Sequence, residues 1–316
     1  MPSEAPELDD HEAGLSGTPA PFTAAVVQAE PVPFDTEATL AKALGLIADA
    51  ACSGARLVVF PEAFLGGYPK GEDFGIRLGT RSDVGRETFA RYFGAAIDVP
   101  GAETAALAAA AEEHGVELVM GVVERGDSTL YCTALYVGAD GTLRGKHRKL
   151  VPTALERCVW GRGDGSTLAA AETPLGVVGS AICWENYMPL YRTSLYSQGV
   201  TLYCAPTVDD RDVWPSTMRH IAVEGRTFVL SACQFLRSAD PSRPLIRGGS
   251  LIVDPFGEIL AGPHHGGETI LYATVDPAAI IRGRFDLDVT GHYARPDVFH
   301  MSVQTNIAHD SPRSLD

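Results

Sequence analysis

A chain of 316 residues with 45% hydrophobic content is long enough to bury one large core or two ordinary ones. Its 25 Lys+Arg against 40 Asp+Glu leave a net charge of −15, a field that repels phosphate backbones and anionic lipid and so argues against nucleic acid and membrane surfaces as partners. No apolar run approaches the ~20 residues needed to cross a bilayer, and the acidic opening MPSEAPELDD is unlike a basic-then-apolar signal peptide, so the expected compartment is the cytoplasm.

The first 20 residues hold five acidic side chains and no Lys or Arg, too little apolar surface to offset ordering entropy, so residues 1–21 read as a disordered acidic tail. From Phe22 the pattern becomes an apolar strand, TAAVVQA. A helix follows in which Leu40, Leu44, Ile47, Ala48 and Ala51 share one face, with Asp35 or Thr36 as its cap. ARLVVFPEAF is a second buried strand. Phe89, Tyr92, Phe93 and Ala96 mark another amphipathic helix, and a further helix spans about 102–114. Three strand-like stretches come next, ELVMGVVER, LYCTALYVG and TLRGKHRK, the last two joined by the hairpin turn Ala139-Asp140-Gly141.

The second half restarts the alternation with GVVGSAIC, a helix carrying Tyr187, Tyr191 and Leu195, the strand VTLYCAP, a helix from about Ser216 and the strand TFVLSACQF. A hairpin, SLIVDPFGEILA, and a last strand, ETILYATVD, complete it. Two mixed α/β parts with hairpins and no linker between them predict two sheets packed face to face with helices outside, one four-layer domain over 22–285. The polar stretch 286–316 is expected to extend over the surface or over a neighbouring subunit.

Strands that end abruptly in a polar residue deliver side chains to one rim of the sheet, where α/β proteins place ligands. LVVFPE ends at Glu62, the hairpin strand ends at Lys149, and SAIC ends at Cys183. A thiol, a carboxylate and an ammonium are the minimal set for attack on a carbon–nitrogen bond: the carboxylate takes the thiol proton and the ammonium stabilises the nitrogen that gains charge. Each residue also has a plainer reading. Cys183 alone fits a small buried hydrophobe, as Cys204 and Cys233 do; Lys149 belongs to a basic run with Lys146, His147 and Arg148; Glu156 could simply pair with Arg157.

The three local sequences together decide between these readings. VVFPEAF, HRKLVPTALER and GSAICWEN, in that order, resemble the motifs of the nitrilase, or carbon-nitrogen hydrolase, superfamily, and the likeness extends over about 22–300. The resemblance implies an αββα sandwich in which Cys183 is the nucleophile, Glu62 the general base and Lys149 the stabiliser of tetrahedral intermediates. Its second glutamate falls on Glu156, which would orient the lysine or assist the hydrolytic water. The form CWEN, with GGYPKG at 66–71, ERCVWGRGDGS at 156–166 and GHYARPDVF at 291–299, is similar to the true nitrilase branch, and GGYPKG to enzymes of that branch acting on arylacetonitriles and related nitriles.

The implied chemistry runs through a thioimidate and a thioester to acid and ammonia, with some amide by-product. An apolar wall of Trp184, Trp160, Tyr187 and Tyr68 would suit an organic nitrile, whose polarity is confined to a small linear group. The resemblance also implies a homo-oligomer, a dimer or a larger spiral. An amidase or N-carbamoyl hydrolase on the same scaffold is the competing reading; a Cys/His hydrolase using His147, His220 or His292 lacks a partner motif. His264-His265 sit in what reads as an exposed hairpin loop, and the glycines at 161, 163 and 165 follow no predicted strand, so no metal and no cofactor are inferred.

Overall fold

A computed structural model describes residues 18–240 and 242–305. Most of the expected acidic tail (1–17) and the last residues of the C-terminal stretch (306–316) lie outside the described residues. The first sheet contains β1 (Phe22–Gln28), β2 (Ala55–Val59), β3 (Glu117–Gly126), β4 (Thr129–Val137), β5 (Leu143–Arg148) and β13 (Thr269–Val275), in the order β13-β1-β2-β3-β4-β5. The second contains β6 (Ala171–Thr173), β7 (Gly176–Ser180), β8 (Leu202–Cys204), β9 (Phe228–Ser231), β10 (Phe235–Leu236), β11 (Ile246–Val253) and β12 (Ile259–His265), in the order β10-β11-β9-β8-β7-β6 with β12 on β11. Within each sheet the strands joined by helices pair in parallel (β1 with β2, β2 with β3, β7 with β8, β8 with β9) and the hairpins pair antiparallel.

The central strands are apolar on both faces because both faces are covered. Along β1, Ala25 and Val27 turn outward against Ala43, Ile47 and Ala50 of helix α1 (Thr36–Cys52) and Leu107 and Ala111 of helix α3 (Ala102–His114). Ala24 and Val26 turn inward, with Leu57, Val59 and Val119, to meet Val178, Leu202, Leu230 and Ile252 of the other sheet. That sheet's outer face, Val229, Leu251 and Val253, packs on Tyr191 and Leu195 of helix α4 (Pro189–Ser197) and Met218, Ile221 and Ala222 of helix α5 (Trp214–Gly225). The layers are therefore helix, sheet, sheet, helix: the αββα sandwich expected. Helix α2 (Asp83–Gly94) closes one end through Tyr92, and helix α6 (Ala278–Asp286) reaches the inter-sheet core through Ala279 and Ile280.

Local details settle one alternative of the sequence reading and depart from it in three places. Of the two expected caps of α1 it is Asp35 that serves, its carboxylate accepting the Ala38 N–H at 2.9 Å. α5 begins at Trp214 with Pro215 in its first turn, where the missing N–H costs nothing. Tyr187 does not share a helix with Tyr191 and Leu195. It ends a short 3₁₀ turn, Cys183–Tyr187, and α4 starts afresh at Pro189 after an extended Met188. His264 and His265 end strand β12 and do not form a loop. Beyond α6 the chain runs on without helix or strand to residue 305 and passes close to Gly165, where a Cβ would meet the Gln304 carbonyl oxygen at 1.8 Å.

Candidate active site

Beyond β2 the chain folds tightly against β3: Phe60 N–H donates to the Val119 carbonyl and Phe64 N–H to that of Gly121, each at 2.8 Å. Gly121 permits this approach, since a Cβ there would stand 1.9 Å from the Pro61 carbonyl oxygen. Gln234 Nε2 donates to the Glu62 carbonyl at 2.7 Å, and Ala63 takes a left-handed conformation with φ of 48°. Glu62 is thereby buried, its side chain directed at the end of β5.

Lys149 lies one residue past β5, held by its own N–H to the Cys132 carbonyl at 2.8 Å. Its Nζ donates to Glu62 Oε1 at 2.6 Å and to Glu156 Oε2 at 2.9 Å. Glu156 belongs to the 3₁₀ turn Ala154–Cys158, where the same oxygen accepts the Thr153 N–H at 2.6 Å and Oε1 accepts the Tyr68 hydroxyl at 2.8 Å. An ammonium is thus clamped between two carboxylates, each further tied to the fold.

Cys183 follows β7 after an extended Ile182 and adopts φ of 53°, a left-handed conformation that a non-glycine residue keeps only where its surroundings impose it. Here the Cys183 N–H donates to the Pro206 carbonyl at 2.8 Å, and Asn186 Nδ2 donates to the Cys183 and Ala181 carbonyls at 2.7 and 2.8 Å. The Glu62 and Thr207 side chains are the polar neighbours that, with Lys149, bear on the proton affinity of the thiol. Cys183 is buried at 3% exposure, short of complete enclosure.

The electrostatics follow from burial among these charges. Burial raises the Glu62 carboxyl above its usual range; Lys149 opposes this and the Glu156 charge reinforces it. Burial also works to lower Lys149, but Glu62, Cys183 and the neighbouring acids outweigh it and hold the ammonium firmly protonated. The Cys183 thiol is pushed up, first by burial and then by Glu62, against the pull of Lys149 and Thr207. The resting site is rich in protons: a thiolate here would add a second excess negative charge to two carboxylates and one ammonium. On Glu62, Oε1 is occupied by Lys149 and by the Cys132 thiol at 3.6 Å, while Oε2 has no hydrogen-bond partner among the described residues.

Glu156, Tyr68 and Trp160 also wall a cavity of about 160 Å³, with Phe74, Ile76 and Leu155. The Tyr68 and Trp160 rings meet edge-on at 5.7 Å, Trp160 Nε1 donates to the Tyr92 hydroxyl at 3.2 Å, and Lys149 Nζ lies 5.6 Å from the Trp160 ring. The structure does not bring Trp184 and Tyr187 to this cavity. They pack edge-to-face at 5.9 Å on the outer surface, Trp184 donating to Asp209 at 2.9 Å beneath the Arg211 guanidinium and Tyr187 bonded to Thr217 at 3.3 Å. Cys132, Gln234, Thr207 and the buried Glu185 are parts of the site that sequence reasoning left out or assigned only locally. No group of His, Cys, Asp and Glu suited to a metal ion occurs among the described residues.

Comparison with known proteins agrees with this architecture. The carbon-nitrogen hydrolase family model matches residues 23–285. An aliphatic nitrilase of Sinorhizobium fredii is 58% identical over 294 residues, 89% of this chain and 95% of that protein. A bifunctional nitrilase/nitrile hydratase of Lupinus angustifolius is 53% identical over 298 residues, covering 89% and 85% of the two chains. Among solved structures, a branch 10 member of the nitrilase superfamily from Saccharomyces cerevisiae superposes with a TM-score of 0.66 at 24% identity, over 87% of this chain and 97% of that one, a likeness of fold. The chain belongs to the carbon-nitrogen hydrolase family, and within it to the nitrilases.

Proposed function

We propose that this protein hydrolyses an aliphatic nitrile to the carboxylic acid and ammonia, with Cys183 as nucleophile, Glu62 as general base, Lys149 as the cation that stabilises developing charge and Glu156 as the group that orients it. The observation that carries this reading is the Lys149 ammonium bridging Glu62 and Glu156, with Cys183 buried in the cluster that holds Ala63, next to Glu62 in the chain, and its thiol subject to the Glu62 and Lys149 charges. Sulfur attacks the nitrile carbon as its proton passes to Glu62, and a proton reaches the nitrogen to give a thioimidate. Water then adds to that carbon, aided by the same base. Collapse with loss of ammonia leaves a thioester, and a second water releases the acid and restores the thiol. Collapse with loss of sulfur instead yields the amide, and the relatives named as bifunctional nitrilase/nitrile hydratases support such a by-product.

The 58% identical relative named as an aliphatic nitrilase supports aliphatic substrates over the arylacetonitriles that GGYPKG points to. A panel of aliphatic, aromatic and arylaliphatic nitriles, each paired with its amide and scored by ammonia, acid and amide, tests both levels. Aliphatic nitriles should give the highest kcat/KM. Faster turnover of the matched amides would instead make the protein an amidase or carbamoylase. No helix among the described residues is long and apolar enough to cross a membrane, and we place the enzyme in the cytoplasm as a homo-oligomer acting on a small-molecule nitrile.

The pH dependence has a definite sign. Only ionised Glu62 can take the thiol proton, and its folded pKa lies above the ordinary value, so activity is present above that pKa and lost as pH falls through it. The acid limb of kcat/KM should therefore lie clearly above ~4.3, the ordinary glutamate value. A limb at the ordinary position would remove Glu62 as the base.

A further inference from the structure

Glu185 is buried within the protein, does not touch the cavity described above, and takes no part in the chemistry proposed for Cys183. Its carboxylate nevertheless has three protein donors. Oε2 accepts the Ile182 N–H at 2.9 Å and faces His147 Nε2 at 2.9 Å, while Oε1 accepts the Leu150 N–H at 2.6 Å. These donors come from the two segments that carry the reacting groups. Ile182 immediately precedes Cys183 at its left-handed turn; His147 and Leu150 flank Lys149 at the exit of β5. The second sheet supplies the thiol and the first supplies the ammonium, so the relative placement of the two depends on what joins these strand ends.

We propose that Glu185 is a positioning residue: one carboxylate that fastens the Cys183 turn to the Lys149 strand and sets the distance between sulfur and ammonium. The inference rests on the roles proposed for Cys183 and Lys149. Two further observations support it. The carboxylate places the imidazole proton of His147 on Nε2, and the ring is fixed in that orientation by stacking on Tyr191 at 5.1 Å and 22°, while its Nδ1 has no partner among the described residues. All the donors point inward at a side chain with acceptors only, so an amide of the same shape would set an NH₂ against an N–H on one side or the other. Glutamine at this position keeps the volume and loses the clamp.

In the full-length chain, Glu185→Gln is expected to lower kcat by ~10²-fold, the scale of a displacement of about 1 Å at a reacting centre, with KM within about threefold of the parent. The rate at which iodoacetamide alkylates the active-site thiol should change with it, whereas a purely structural role would lower the unfolding midpoint and leave kcat per folded molecule intact. Unchanged kcat in folded Glu185→Gln, or a raised KM at constant kcat, overturns the proposal. Should Glu185→Gln fail to fold, His147→Gln, which retains a donor toward the carboxylate but not the stacked ring, is expected to reduce kcat in the same direction and less severely; full activity in that variant overturns the proposal equally. Wild-type turnover abolished in Cys183→Ala anchors the comparison, so a wild-type protein inert toward nitriles would count against the proposed function and not against the positioning role.

Discussion

Replacing Cys183 with Ala should remove acid and amide formation together, by on the order of 10⁵-fold or to below detection, in a protein that still folds. In the proposed mechanism both products descend from the same carbon–sulfur adduct, so no partition between them survives loss of the sulfur. Retention of the fold is equally expected. Alanine is smaller than cysteine at this buried site, the thiol it replaces is held protonated and so charge-free, and the left-handed φ of 53° is as available to Ala as to Cys. The cavity left by one sulfur costs about 1 kcal/mol. The measurements are a thermal or urea unfolding curve alongside acid, amide and ammonia assays. Folded Cys183→Ala that still makes either product would leave the sulfur without the role assigned to it.

Glu62 and Cys183 were legible in the sequence because each follows an apolar run, and an apolar run that stops at a charge or thiol has few other places to put that group than the rim of a sheet; Lys149, at the end of a basic strand, stood out only through the HRKLVPTALER motif. The face-to-face sheets were legible for a related reason. Strands such as TAAVVQA, whose residues 24–27 are apolar on both faces, require cover on both sides. What escaped is whatever depends on contact across the chain. The Cys132 thiol meets Glu62 across 70 positions, Gln234 holds the Glu62 backbone across 172, and Glu185 reaches Leu150 across 35. No local pattern marks any of them.

Trp184 and Tyr187 part from Tyr68 and Trp160 for a reason that is local to the chain's path at Cys183. Proximity in sequence to Cys183 pointed to a substrate wall, but the chain turns into a 3₁₀ helix at Cys183, and residues three apart in such a helix eclipse one another. Trp184 and Tyr187 therefore leave on one side, toward Arg211 and solvent, while Glu185 goes inward. Tyr68 and Trp160, far from Cys183 in sequence, meet the charged cluster through Glu156 and Lys149 instead.

Lys149→Met should abolish turnover and also destabilise the fold, and the second effect has a pH signature. The methionine fills nearly the same volume, so the packing loss is small. What disappears is a cation bonded to two carboxylates, one fully buried and the other nearly so. Removing one partner from a buried ion pair commonly costs about 3–5 kcal/mol. The site can relieve part of this by keeping a proton on Glu62, whose pKa burial already raises and whose main opposing influence is the Lys149 charge. A carboxyl raised further in the folded state binds its proton more tightly there than in the unfolded chain, so the variant gains stability as pH falls and loses it as pH rises through that folded pKa. The gap in unfolding free energy between wild type and Lys149→Met should consequently be widest in neutral to alkaline buffer and should narrow on acidification toward the ordinary carboxylate range. A gap independent of pH would mean that packing, and not the unneutralised carboxylates, carries the loss; a gap that widens in acid would contradict the charge arrangement drawn from Glu62, Lys149 and Glu156.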